Sequence, residues 1–174
     1  MGMSLELLAA VPASIASDGC FTQNARRVAV SEESGLQGWH RLIGRWETEG
    51  AHPMLPGEAI RGTSTFEWLD GQRFAIWRSH YDHSQIPDAI TIIGVTEGQL
   101  SMHYFDQRGV YRVYAASLDQ ATWRYWRDAP APDFSQRFTG TFSDDGNTIT
   151  GRGQLSKDRS TWEDDLALNY QRVA

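Results

Sequence analysis

The side chains best suited to chemistry are scattered along this chain. It has five histidines, all at or before position 103, and one cysteine, Cys20. The densest group is His80-Tyr81-Asp82-His83. Histidines three apart can share a metal where a turn brings them together. On an extended strand they face opposite sides, and no cysteine pair completes a zinc site. No metal site is assigned, and this stretch reads as a polar strand end. His103 would need an oriented partner to act as a general base, and Tyr104 beside it faces the other way by parity. Asp144-Asp145-Gly146-Asn147 lacks the spaced carboxylates and terminal Glu of a calcium loop, so it reads as a hairpin turn. Cys20 has no matching His–Asn arrangement. The sequence has no phosphate-cradling glycine loop and no nucleophile elbow, so no cofactor is expected.

The 174 residues suit one domain. Seven Trp, six Tyr, seven Phe and sixteen Gly favour strands and turns over a helix bundle. A net charge of −6 argues against a nucleic-acid binder. One cysteine allows no intrachain disulfide and fits a reducing, cytoplasmic setting. No apolar run is long enough to span a membrane as a helix. Residues 1–34 read as an arm. A short helix over residues 4–10 ends near Pro12. Residues 5–16 lack the basic start of a secretory signal, and 17–34 are linker-like. A second helix carries Leu36, Trp39, His40, Leu42 and Ile43 at helical spacing, with Ser31 or Ser34 as its cap and Gly44 as its stop.

From Gly44 the period drops to two. Strands are predicted over residues 45–50, 60–69, 72–81, 89–95, 99–106, 110–118, 121–127, 134–142, 148–155 and 162–173. Short loops join them, including Asp70-Gly71 and residues 143–147. Ten sequential strands left as an open sheet would expose two edges, which closure removes. The expected fold is all-β: an up-and-down antiparallel barrel over residues 35–174, preceded by one or two short helices. A barrel of this strand number is wide enough for a ligand cavity.

Gly44-Arg45-Trp46-Glu47-Thr48-Glu49-Gly50, after a short helix, resembles the first strand of calycin-type barrels, which include lipocalins and the nitrobindin-like haem proteins. Residues 62–69 (GTSTFEWL), 103–109 (HYFDQRG) and 137–146 (RFTGTFSDDG) resemble an uncharacterised bacterial family of calycin-like barrels. That family implies a fold but no activity. The nitrobindin likeness implies haem bound through a histidine near the barrel's end, yet the last predicted strand, LALNYQRV, contains none.

Alternation sorts each strand into two faces, the more apolar one inward. By that rule Phe74, Ile76, Arg78 and His80 share an inner face. So do Leu100, Met102, Tyr104 and Asp106; Tyr111, Val113 and Ala115; Phe134, Gln136, Phe138 and Phe142; and Trp162, Asp164, Leu166, Leu168 and Tyr170. Residues 121–127 cannot be phased, and an outward aromatic there would suit a homodimer interface. The expected site is an apolar cavity with a few polar groups, which suits a small, largely apolar molecule carrying a polar group. Arg78 would bind a carboxylate or carbonyl of the ligand. His80, Tyr104, Tyr111, Gln136 and Asp164 would add polar contacts, and Trp68, Trp126 and Trp162 would stack on it. Two alternatives are a cofactor-free isomerase or cyclase using His80 or Tyr104 as its acid–base group under an N-terminal lid, and haem binding.

Overall fold

A computed structural model describes residues 36–96, 98–129 and 133–173; the expected helix over 4–10 and the linker after it lie outside these. The chain forms β1 (Gly44–Ala51), β2 (Ile60–Trp68), β3 (Phe74–Tyr81), β4 (Ala89–Thr96), β5 (Gln99–Asp106), β6 (Tyr111–Leu118), β7 (Thr122–Arg127), β8 (Ser135–Phe142), β9 (Thr148–Ser156), β10 (Glu163–Asp164) and β11 (Ala167–Arg172). Each of β1 to β9 pairs antiparallel with the next, except that β9 passes to β11 and β11 returns to β1. Ten strands thus close an up-and-down barrel, and β10 adds two pairs to β9. Every internal strand edge is used in closure, which answers the edge problem posed by the hairpin ladder.

The expected second helix is a single 3-10 turn, Gln37–Arg41, that plugs one end. Trp39 and Leu42 of this segment are fully buried. Its length explains the difference from an α-helix: one turn is too short to pay for α-helical nucleation, and side-chain burial holds it instead. Trp46 Nε1 donates to Leu42 O at 2.8 Å. The Arg172 guanidinium, stacked 4.1 Å over the Trp46 ring, donates to the carbonyls of Ile43 (2.8 Å) and Arg41. A cation thus satisfies the carbonyls left open at the end of the turn and ties it to the last strand.

The core centres on Trp123. Its ring lies 5.2 Å from those of Trp77 and Phe138, 5.5 Å from Tyr125 and 5.7 Å from Phe66. Tyr170 at 6.0 Å and Trp39 at 6.3 Å complete the group. Two paired inward glycines, Gly140 and Gly151, make the room. A Cβ on Gly151 would fall 2.5 Å from Phe138 Cζ, and one on Gly140 3.1 Å from Phe138 Cε1. The glycines therefore leave the space that the large rings fill, as close packing requires.

The expected strand over 162–173 is broken. Asp164 pairs with Gln154 and Asn169 with Thr150, so one extra residue is inserted at Asp165-Leu166 opposite Gly153. Gly153 accepts from Asp165 N at 3.0 Å and donates to Leu166 O at 3.1 Å. This is a β-bulge, and it resets the strand's parity.

Candidate functional site

A cavity of about 140 Å³ lies in the half of the barrel away from the plug. Trp77, Met102, Tyr125, Phe138 and Leu168 supply its apolar walls, and Ile86 and Pro87 of the β3–β4 loop reach its rim. Tyr170 also lines it, with a buried hydroxyl that has no hydrogen-bond partner among the described residues.

One side of the cavity is polar and internally oriented. Met54 N donates to His52 Nδ1 at 3.0 Å, so the neutral ring carries its proton on Nε2, which faces Asp165 Oδ1 at 3.0 Å. Asp165 Oδ2 accepts from Gln136 Nε2 at 3.2 Å. Gln136 Oε1 then accepts from Tyr114 OH at 2.8 Å and Arg112 Nη1 at 3.0 Å. The chain of donors fixes the direction of every bond. Arg112 also lies 4.8 Å over the Phe134 ring and adds to the positive field that holds the Asp133 carboxyl down. Its side chain lines the cavity.

The tyrosines here are neutral groups. Burial pushes the phenols of Tyr81, Tyr125 and Tyr170 up, and burial followed by the neighbouring Asp106 carboxylate does the same for Tyr104. At neutral pH they serve as hydrogen-bonding hydroxyls, not as bases. Tyr104 OH is already committed to Asp106 Oδ2 at 3.0 Å.

Of the residues expected in the site, Tyr104 and Gln136 line the cavity. The others lie elsewhere. Arg78 and His80 are exposed, because β3 turns Ala75, Trp77 and Ser79 inward and its expected inner face outward. Arg78 pairs with Glu67 at 2.5 Å. His80 Nδ1 meets Asp88 Oδ2 at 2.7 Å, a hydrogen bond that pushes the imidazole up and holds the Asp88 carboxyl down. Tyr111 is likewise exposed on β6, stacked on Phe105 at 5.0 Å, and the inward residues are Arg112 and Tyr114. Trp126 faces solvent, while Trp123 and Tyr125 of the unphased strand point in. Asp164 is exposed and paired with Arg152 at 2.6 Å, since the bulge aims Asp165 at the cavity in its place. Trp162 lies under Arg137, 4.0 Å from the guanidinium. Trp68 is half-buried at the plugged end, 5.1 Å from the His40 ring.

Sequence reasoning missed Arg112, Tyr114, Tyr125 and Asp165, and it placed Tyr170 on an inner face without counting it among the ligand contacts. The spacing of Arg112, Tyr114 and Ala116 carries the β6 signal, but the more apolar alternate face outweighed it. The Asp164-Asp165 doublet, breaking an alternating strand, is the mark of the bulge.

None of the five histidines lines the cavity. His52, the one at its rim, has both ring nitrogens engaged. The residues present therefore do not fit a haem held by an interior histidine.

No protein-family model matches the chain, and no curated protein matches it. Among solved structures it is similar to Rv2717c from M. tuberculosis, at 15% identity and a TM-score of 0.58, over 80% of this chain and 98% of that one. Weaker likenesses are to EF1p2_mFAP2b bound to DFHBI (TM-score 0.44, 10% identity, 80% of this chain and 100% of that one) and to mFAP1, a redesigned β-barrel bound to DFHBI (0.39, 12%, 78% and 99%). The similarity to Rv2717c is one of fold: this chain is a β-barrel of the same architecture.

Proposed function

We propose that this protein binds a compact, largely apolar molecule with one polar group inside its barrel. The observation that carries the reading is the cavity itself: aromatic walls, one oriented polar side, and the unpartnered buried hydroxyl of Tyr170. Its 140 Å³ is close to the ~150 Å³ of an engineered cavity that accepts benzene, and well below the ~300 Å³ where drug-sized sites begin. The ligand is therefore of single-ring size. Its apolar body would lie against Trp77, Tyr125 and Phe138, with its polar group toward Arg112 and Gln136. A carbonyl or carboxylate suits Arg112, the role first expected of Arg78.

Binding is favoured over catalysis by the state of the titratable groups. Tyr104 already donates to a carboxylate, His52 is held at both nitrogens, and His80 is outside the barrel. None of the three is poised to move a proton inside the cavity.

The test is calorimetric titration of the purified full chain with benzyl alcohol, benzaldehyde and benzoate, beside Tyr170→Phe and Gln136→Leu. Tyr170→Phe leaves stability equal to wild type or up to ~1 kcal/mol higher, because it removes an unsatisfied buried hydroxyl. At least one probe binds wild type, and one or both variants bind it about tenfold more weakly, the worth of one lost hydrogen bond to a ligand. If none of the probes gives heat, or both variants bind like wild type, the reading fails.

A further inference from the structure

The outer wall of the barrel is divided in two. On β1, β2 and β9 the outward residues are polar and charged, such as Glu47, Glu49, Arg61, Glu67 and Arg152. Across β4 to β6 the outward positions carry no charged residue and are largely apolar, and Phe74 and Ile76 of β3 and Trp126 of β7 extend that face up to Arg78, His80 and Arg124. The register sets Ile90, Phe105 and Tyr111 side by side in one row. The next row holds Ile76, Ile92, His103 and Val113. A third runs from Phe74 through Gly94, Ser101 and Ala115 to Trp126. The edge of the Phe74 ring fills the space over Gly94, where a Cβ would fall 2.3 Å from Phe74 Cδ1.

Phe74, Ile90, Phe105, Tyr111, Val113 and Trp126 are each 41–55% exposed. With four half-exposed aromatics among them, the patch comes to about 500 Å² of apolar surface, in the upper range for monomers. A stable homodimer buries about 800 Å² per partner, with an apolar centre and a polar rim. The patch is the right size for such a centre, and Arg78, paired with Glu67, lies on its edge.

Charge selects the occupant. The chain carries a net charge of −6, yet the described outward residues of β4, β5 and β6 include no carboxylate and no Lys or Arg. A second copy would therefore set a neutral, apolar face against its twin and keep the acidic surfaces apart. We infer that this face, centred on Phe105, Tyr111 and Val113, is a self-association surface joining two copies of the chain about a two-fold axis.

Sedimentation equilibrium of the full chain between roughly 1 and 100 µM, a span suited to micromolar affinity, tests it. The expected result is twice the 19.6-kDa chain mass for wild type. Tyr111→Glu and Val113→Lys each give monomer with an unchanged near-ultraviolet circular dichroism spectrum, and Asn169→Lys, exposed on β11 across the barrel, stays dimeric. Should Tyr111→Glu fail to fold, Val113→Lys reads the same contact. A wild type that is monomeric throughout overturns the inference, whether the face is bare, covered by residues 1–35 or reserved for another protein. A dimer that survives both patch substitutions overturns it equally.

Discussion

Trp123→Ala destabilises the barrel by roughly 3–5 kcal/mol, the range for removing a large aromatic from a close-packed core. Trp123 is fully buried and its ring neighbours come from the 3-10 plug and from β2, β3, β7, β8 and β11. The two inward glycines opposite cannot collapse into the void, because they have no side chains to move. The cost therefore sits at the upper end of the range, equivalent to roughly 10 °C in Tm for a domain of this size. Trp123→Phe keeps a ring and costs less, in part because the indole Nε1 has no partner to lose. Urea unfolding checks both: the midpoint falls while the slope stays constant. A loss under about 1 kcal/mol for the alanine variant would mean that the core is not organised around this ring.

Asp106→Asn gives the second large effect, and it is pH-dependent. The Asp106 side chain is fully buried at the β5–β6 turn. It accepts from Arg108 Nη2 at 2.7 Å, Arg108 N at 2.9 Å, Tyr104 OH at 3.0 Å and Val110 N at 3.3 Å. Burial alone would push the carboxyl up, but these donors outweigh it and hold it down at about 2. The unfolded chain therefore takes up its proton first as the pH falls, and the stabilisation is complete above pH ~4 and lost between ~4 and 2. At neutral pH the amide costs about 2 kcal/mol, because it meets donors with fewer acceptor sites and no charge. At pH 2.5 the difference narrows. Urea midpoints for both proteins at pH 7 and pH 2.5 measure this; parallel curves would show that Asp106 is not the titrating group.

How much of this was legible in the sequence depended on what lay outside the barrel. Strands β5 and β8 were phased correctly because their outward positions, such as Arg137, Thr139 and Thr141, are polar or mixed enough for alternation to show. Strands β3 and β6 were inverted because Phe74, Ile76, Tyr111 and Val113 outweigh Ser79 and Arg112 in hydrophobicity, though Phe74, Tyr111 and Val113 are exposed and Ile76, itself buried, shares their outer face by parity. The rule that the apolar face points inward fails where the outer face is apolar as well. Strand positions and closure were readable from turn spacing alone, since hairpin geometry is local. The polar side of the cavity was not. It is assembled from residues as far apart as His52 and Asp165, and its carboxylate is set by a bulge that no local propensity announces.

That bulge separates two properties usually fixed together. The barrel's stability rests on ladders and rings to which Asp165 adds a single backbone hydrogen bond, while the polar side of its cavity rests on one surplus residue in the frame of the last strand. Deleting Asp165 would bring the strand back into step, set Leu166 opposite Gly153 and keep the ladder on β9. It would also exchange the carboxylate that faces inward for whatever the new phase presents. The polar lining of such a barrel can therefore be rewritten by a one-residue slip in the chain, a change that leaves every wall standing.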